Sequence, residues 1–294
     1  YFDIVATTSS DEAASALIDR GTVRAVLVIP ADFSRRLRSG ESAAIQIIVD
    51  GDNANTATTV LGYVSGVLRM ASATRGGRRT ASIVGVEPRI WYNPELRSTV
   101  FLVPGLIAFI SMITAVVSTA LSIVREKERG TMEQVRMAPI STLSFVVGKT
   151  LPYLVLSLIG AIAILMAAMY FFDLPMEGAW PALVLVVTIF LIGALGTGLV
   201  VSTLADTQEV AFQAAALVAM LPTLILSGFI FPIASMPVAL QYVSSIVPAR
   251  YFVTALRGIV LKGLDLQALW PSLLSLMAYA IVVVGLAAAR LGRR

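Results

Sequence analysis

The sequence predicts an α-helical polytopic membrane protein that carries a small α/β domain at its N-terminal end. Three observations predict it. Of the 294 residues, 57% are hydrophobic and 14% charged, whereas soluble domains have about 25% charged; mean hydropathy is +0.85. Five long runs contain no Asp, Glu, Lys or Arg: Ser98–Val124, Thr150–Phe172, Gly178–Ala205, Val210–Ala249 and Leu266–Ala289. Ahead of them, residues 1–97 alternate short β-branched runs with helix-capping residues, the pattern of a small α/β fold.

The same composition limits function. The formal charge is +4 and the pI about 9.6, but surplus Lys and Arg is expected of a membrane protein's cytoplasmic loops, so nucleic acid is not the expected partner. With no Cys there is no disulfide or thiolate metal site. With no His, the usual general base and the commonest metal ligand are both missing. Neither catalytic nor metal-binding residues are expected.

In the N-terminal domain, "YFDIV", "VRAVLVIP" and "AAIQIIVD" read as buried strands. Between the first two, Ser10 or Asp11 suits an N-cap and Gly21 a helix stop. A second short helix is expected between Pro30 and Gly40, and a longer one over about 55–79. "DGDN", with Asp50 and Asp52, reads as a turn, although exposed carboxylates there would be the residues a membrane enzyme had to use. Trp91 and Tyr92 fall where an interfacial aromatic belt would precede the first span.

Each charge-free run reaches the roughly 20 residues needed to cross a hydrocarbon core. The fourth is too long for one span and is broken by Pro222, Gly228, Pro232, Pro237 and Pro248. It reads as a helix over about 210–230 followed by a re-entrant or amphipathic external segment, 231–263. Orientation follows the cations. Arg125, Lys127, Arg129, Arg136 and Lys149, with Arg290, Arg293 and Arg294 in the tail, face Arg250, Arg257 and Lys262 on the other side; Arg89 and Arg97 soften the contrast. The 125–149 loop and the C-terminus are therefore expected in the cytoplasm, and residues 1–97 outside it. A domain to be translocated with no signal in front of it implies a further N-terminal span, giving six spans with both ends inside.

The densest charge lies in "REKERGTMEQVRMAP", Arg125 to Pro139. Gly130 can end the helical extension of the first span at low steric cost. Thr131 suits an N-cap with Gln134 completing a capping box, and Glu133 complements the positive helix end. The resulting helix must stop before Pro139 and carries Met132 and Val135 on one face. So short a helix is marginal in water and needs something packed on it. The reading is a docking helix for a cytoplasmic partner; the plainer one is a solvated loop that only sets topology.

The segment "REKERGTMEQVRMAPISTLSFVVGKTLPY" resembles the first cytoplasmic loop of ABC transporter permeases of the type 2, exporter-like class, with their E-x-x-R-G-T-x-E pattern and a following Pro and G-K. Arg136 departs from it, standing where that family usually continues apolar. "SGFIFPIASMPVALQYVSSIVPARYFVTALRGIVLKG" resembles that family's last external loop, and "VLVIPADFSRRLRSGESAAIQIIVDGDN" the outer domain of one subgroup. The resemblance implies an exporter permease half for lipid-like, amphiphilic or drug-like substrates. It pairs with a second half, as homodimer or heterodimer, and with a cytoplasmic ATPase that binds ATP and Mg; this chain binds no cofactor. Carried over by position, Glu126, Arg129, Gly130, Thr131, Glu133 and Gln134 would couple to the ATPase. Pro232, Pro237, Pro248, Tyr251 and Arg257 would shape the external gate.

Other motifs weigh less. "VVGKT" lacks the first Gly of a phosphate-binding loop, position 143 being Leu; Gly148 reads as a close helix approach and Lys149 as an interfacial anchor. "GALGTG", Gly193 to Gly198, reads as helix packing. "RGGRR", Arg75 to Arg79, reads as a solvated turn or a contact with lipid headgroups. No run holds an ionisable residue that an ion-driven carrier needs, and Asp206 and Glu209 fall in a short cytoplasmic break. A receptor or assembly protein, with an outer domain that binds a ligand, remains the alternative.

Overall fold

In the computed structural model, residues 2–39, 43–75, 84–131 and 142–292 are described. The chain divides into two compact units, Tyr1–Phe101 and Leu102–Arg294.

In the first unit, α1 (Asp11–Asp19) starts at Ser10, whose side chain accepts from the Ala13 amide, and the chain leaves it through Gly21 at φ +66°. β1 (Ala25–Val28), α2 (Phe33–Ser39), β2 (Ala43–Asp50), α3 (Ala54–Arg75) and β3 (Val84–Trp91) follow. The sheet order is β1-β2-β3, with β1 antiparallel and β3 parallel to β2. β2 is central and alternates as a half-covered strand should: Ala43, Ile45, Ile47 and Val49 are buried. α3 lays Ala57 and Val64 against Ile47 and Val49. A parallel neighbour needs a crossover, and α3 supplies it.

Here the structure corrects the sequence reading in two places, residues 2–5 and the third strand, and bears out the turn at 50–53. Residues 2–5 form no strand; Ile4 is 85% exposed, and Phe2 meets the Tyr63 ring edge-on at 6.4 Å. Their β-branched character is local, whereas a strand needs a ladder, and both sides of β2 are taken. The third strand is instead β3, hidden in the sequence by Pro88, which a sheet tolerates at an edge. Trp91 closes the β3 ladder opposite Asp50, and the Tyr92 hydroxyl donates to Asp19, so both are held by contacts within this unit. The Asp50 side chain is fully buried, and Arg24 reaches both Asp50 (3.4 Å) and Asp52 (3.3 Å), so this pair holds the turn and is no exposed catalytic carboxylate.

Burial, with the Asp19 bond behind it, pushes the Tyr92 phenol well above its ordinary value. A phenol held neutral in the fold contributes stability that is complete below the unfolded value near 10 and lost as pH rises beyond it. Tyr92→Phe is therefore expected to flatten the alkaline loss of stability of this unit, read as protease resistance of the purified protein between pH 8 and 11.

The second unit contains α4 (Ser98–Glu128), α5 (Thr142–Phe172), α6 (Trp180–Leu204), α7 (Gln208–Leu226), α8 (Val238–Ser244), α9 (Pro248–Lys262) and α10 (Leu266–Gly292), with a 3-10 turn at Ile233–Ser235. Among the described residues five helices are long and apolar enough to cross a membrane: α4, α5, α6, α7 and α10. α6 is the pivot, apolar on every side and mostly buried, with Leu185, Ile192 and Leu204 left exposed. Its glycines bring neighbours close. Gly193 and Gly196 face Tyr279 and Val284 of α10, and Gly198 lies under the Val116 carbonyl of α4. "GALGTG" is thus a packing surface. Phe190 stacks on Phe252 of α9 with centroids 4.0 Å apart. Gly148 behaves differently: a Cβ there would meet nothing within 4 Å, so it marks no close approach among the described residues.

Candidate functional site: a three-way fastening at the end of α4

A helix of 31 residues is about 46 Å long at 1.5 Å per residue, longer than a hydrocarbon core of about 30 Å. α4 therefore carries its charged end out of the apolar layer on the same rigid rod. Successive side chains on a helix point about 100° apart, so Glu126, Lys127 and Glu128 face three directions. Each finds a different helix.

Glu126 accepts from Lys149 Nζ of α5 at 2.8 Å and from the Thr131 hydroxyl. Lys127 Nζ donates to the carbonyls of Ser202 and, at 3.0 Å, Ala205, where α6 ends. Glu128 accepts from the Gln208 backbone amide at 2.7 Å and from its side-chain amide, where α7 begins. Arg125 Nε adds a 3.4 Å contact to Gln208. A cation on the last carbonyls of α6 and an anion on the first amide of α7 both match the helix dipoles and fill bonds the helix ends cannot make themselves. Beneath them, Val124, Ala205 and Ala211 form an apolar contact, and Ile123, Val146, Leu199 and Ala287 another. One turn of α4 thus holds α5, α6 and α7.

Beyond this turn, Gly130 takes φ +73°, a conformation that favours glycine, and ends the helix as its sequence position implies. Glu126 and Thr131 come together; Arg129 and Gly130 are exposed. Glu133 and Gln134, the capping box and the apolar pair Met132 and Val135 lie outside the described residues, as do Arg136 and residues 76–79. Sequence reasoning missed Lys127, Glu128, Lys149 and Gln208 as members of one site. The clue was a short break between α6 and α7 lying beside a charged helix end.

At the other end of this unit, prolines start helices. Pro232 precedes the 3-10 turn, Pro237 precedes α8, and Pro248 is the first residue of α9. Proline suits that place because its fixed φ is helical and its missing amide would have no helical partner. Arg250 donates to the Gln241 carbonyl at 3.1 Å and Ser244 Oγ at 2.7 Å, tying α9 to α8, and Tyr251 donates to the Ser245 carbonyl at 2.8 Å. Arg257 donates to the Gly228 carbonyl at 3.3 Å, tying α9 to the turn after α7. Arg250→Met is expected to loosen α8, raising amide exchange over 238–244 about tenfold for the lost charge-assisted bonds. Exchange within α6 should not change.

No three acidic side chains converge among the described residues as a metal centre requires. What the fastening can do is mechanical: a push on the segment after Glu128 is delivered to four helices together.

Two kinds of comparison say what the chain is similar to. The profile of the family described as "ABC-2 family transporter protein" matches residues 1–289. The chain is 35% identical to YbhS of Escherichia coli strain K12, named a "probable multidrug ABC transporter permease", over 95% of this chain and 75% of that protein. It is 34% identical to YbhR of the same organism, named likewise, over 87% of this chain and 70% of that protein. ABC transporter G family member 20 of Dictyostelium discoideum is 32% identical over 71% of this chain and 29% of its own length. The chain belongs to the ABC-2 family of transporter proteins and is a membrane permease of that family.

Proposed function

We propose that this permease is the transmembrane half of an ATP-driven exporter for amphiphilic or drug-like substrates, energised by a separate cytoplasmic ATPase and completed by a second permease half. The observation that carries the reading is the fastening of Glu126, Lys127 and Glu128 to α5, α6 and α7. A connection that only set topology would need charge near the membrane, not an ion pair to one helix and the capped ends of two others. In this account the ATPase meets the 129–139 segment. Its closure moves α4 as a lever, and α5, α6 and α7 follow because each is tied to it.

The multidrug names of the relatives support the substrate class, as does an apolar path without ionisable residues. Residues 1–97 lie outside the cytoplasm and the C-terminus within it, on the cation distribution. The α8–α9 segment shapes the external mouth, with Tyr251 and Arg257 as its internal ties. The reading is tested by reconstituting the permease with its ATPase in inverted vesicles and following ATP-dependent uptake of a fluorescent amphiphile. Uptake that needs both subunits and ATP is expected; uptake unaffected by removing the ATPase would overturn it.

A further inference from the structure

Between α4 and α5 lies a cavity of about 320 Å³, at the lower end of the range for small-molecule sites. Its polar equipment is unusual for two apolar helices. Ser111, Thr114 and Ser118 line it from α4, at the spacing that puts them on one face, and Tyr153, Ser157 and Gly160 line it from α5. Among the described residues the rest of the wall is aliphatic, and no charged side chain contributes.

Thr114 and Ser118 donate to carbonyls of their own helix, Ile110 at 2.6 Å and Ala115 at 3.2 Å, leaving only acceptor capacity toward the cavity. Ser111 does not. It is 3% exposed, and its hydroxyl, covered in this rotamer, has no partner among the described residues; a turn about χ1 brings it to a ligand in the groove. A helical serine always has a carbonyl one turn back within reach, and a buried polar atom left unmade is costly. Thr119 and Thr223 also lack partners, but neither lines this cavity.

We propose that the α4–α5 groove binds a small neutral amphiphile through a hydroxyl or similar hydrogen-bonding group that meets Ser111, with its apolar part along the aliphatic wall. An ionic ligand does not fit, because nothing in the wall would compensate its charge. The exporter reading supplies the ligand's fate and the proposal rests on it there, but binding itself needs no ATP and is read separately.

The test uses the natural protein with its ATPase subunit in nanodiscs, photolabelled with 3-azioctanol and mapped by mass spectrometry. Adducts are expected to concentrate on Tyr153 and its neighbours in the groove. Ser111→Ala, which only removes a buried hydroxyl, should raise the concentration for half-labelling about fivefold, the worth of one hydrogen bond. It should leave labelling by a hydroxyl-free diazirine alkane of the same length unchanged. Gly160→Leu should remove labelling without disturbing the helices, since a Cβ at Gly160 meets nothing within 4 Å.

Competition by free octanol identifies a small soluble ligand; competition by dioleoylglycerol in the bilayer identifies a membrane lipid of the same neutral chemistry. Either supports the site. Labelling spread evenly over the outer faces of α5 and α7 and indifferent to both substitutions would overturn it, as would a groove that never labels because another segment covers it. Failure of the exporter reading shows instead as loss of ATPase association with groove labelling intact.

Discussion

Gly198→Leu is expected to prevent the second unit from assembling. A Cβ at this position would stand 2.5 Å from the Val116 carbonyl oxygen and 2.9 Å from Cβ of Thr119. The first is helix backbone, so no rotamer change relieves the contact, and α4 would have to move off α6. Overpacking in a close-packed interior costs about 1–3 kcal/mol for a methylene or two and more where backbone must shift. Even Gly198→Ala should lower the amount of protein in the membrane and its melting temperature. Gly148→Ala is the control. It meets open space and removes a helix glycine worth about 1 kcal/mol, so it should be neutral or slightly stabilising. Equal behaviour of the two alanine variants would contradict the packing described for α4 and α6.

The second large effect is functional. Glu126→Lys should leave the fold standing and uncouple it. The Glu126–Lys149 pair is partly exposed, at 30% and 27% for the two side chains, and such pairs contribute about 1 kcal/mol or less to stability. Its reversal sets two ammonium groups together at the junction of α4 and α5 and withdraws the acceptor from Thr131. Coupling free energies between sites are typically 1–3 kcal/mol, so substrate-stimulated ATP hydrolysis should fall about tenfold or more while basal hydrolysis persists. Restoring opposite charge with Lys149→Glu in the same chain should recover much of the stimulation. A double variant no better than the single one would mean that the pair has no part in transmission.

The unequal legibility of this molecule has physical causes. Spans are local: a charge-free run needs no partner to be recognised, and each of the five contributes a long helix. Caps are local too, so Ser10, Gly21 and Gly130 could be placed from their neighbours. β3 could not, because Pro88 speaks against a strand and only its edge position allows it. The opposite error at 2–5 has the same root, since strand propensity does not say whether a sheet edge is free. At the fastening, the residue types of 126–128 were visible but their destinations were not. Lys127 meets carbonyls of Ser202 and Ala205, and Glu128 meets Gln208, contacts that exist only once α6 and α7 are packed. The charge cluster was read as a surface for a partner, and three of its members, Glu126, Lys127 and Glu128, also make contacts to α5, α6 and α7.

The central claim, that the charged end of α4 takes its force from a cytoplasmic ATPase, is tested most directly by cross-linking. These 294 residues hold no cysteine, so Arg129→Cys places a thiol at an exposed point just past the fastening. The natural permease carrying it would be co-expressed with its ATPase, purified, labelled with benzophenone-4-maleimide and irradiated, so that the thiol carries a group that inserts into any nearby C–H bond, with Ser39→Cys in the outer unit as comparison. The account predicts that the ATPase co-purifies and joins covalently to Arg129→Cys and not to Ser39→Cys. A permease that purifies without an ATPase, or one that cross-links from position 39 as readily as from 129, would contradict it.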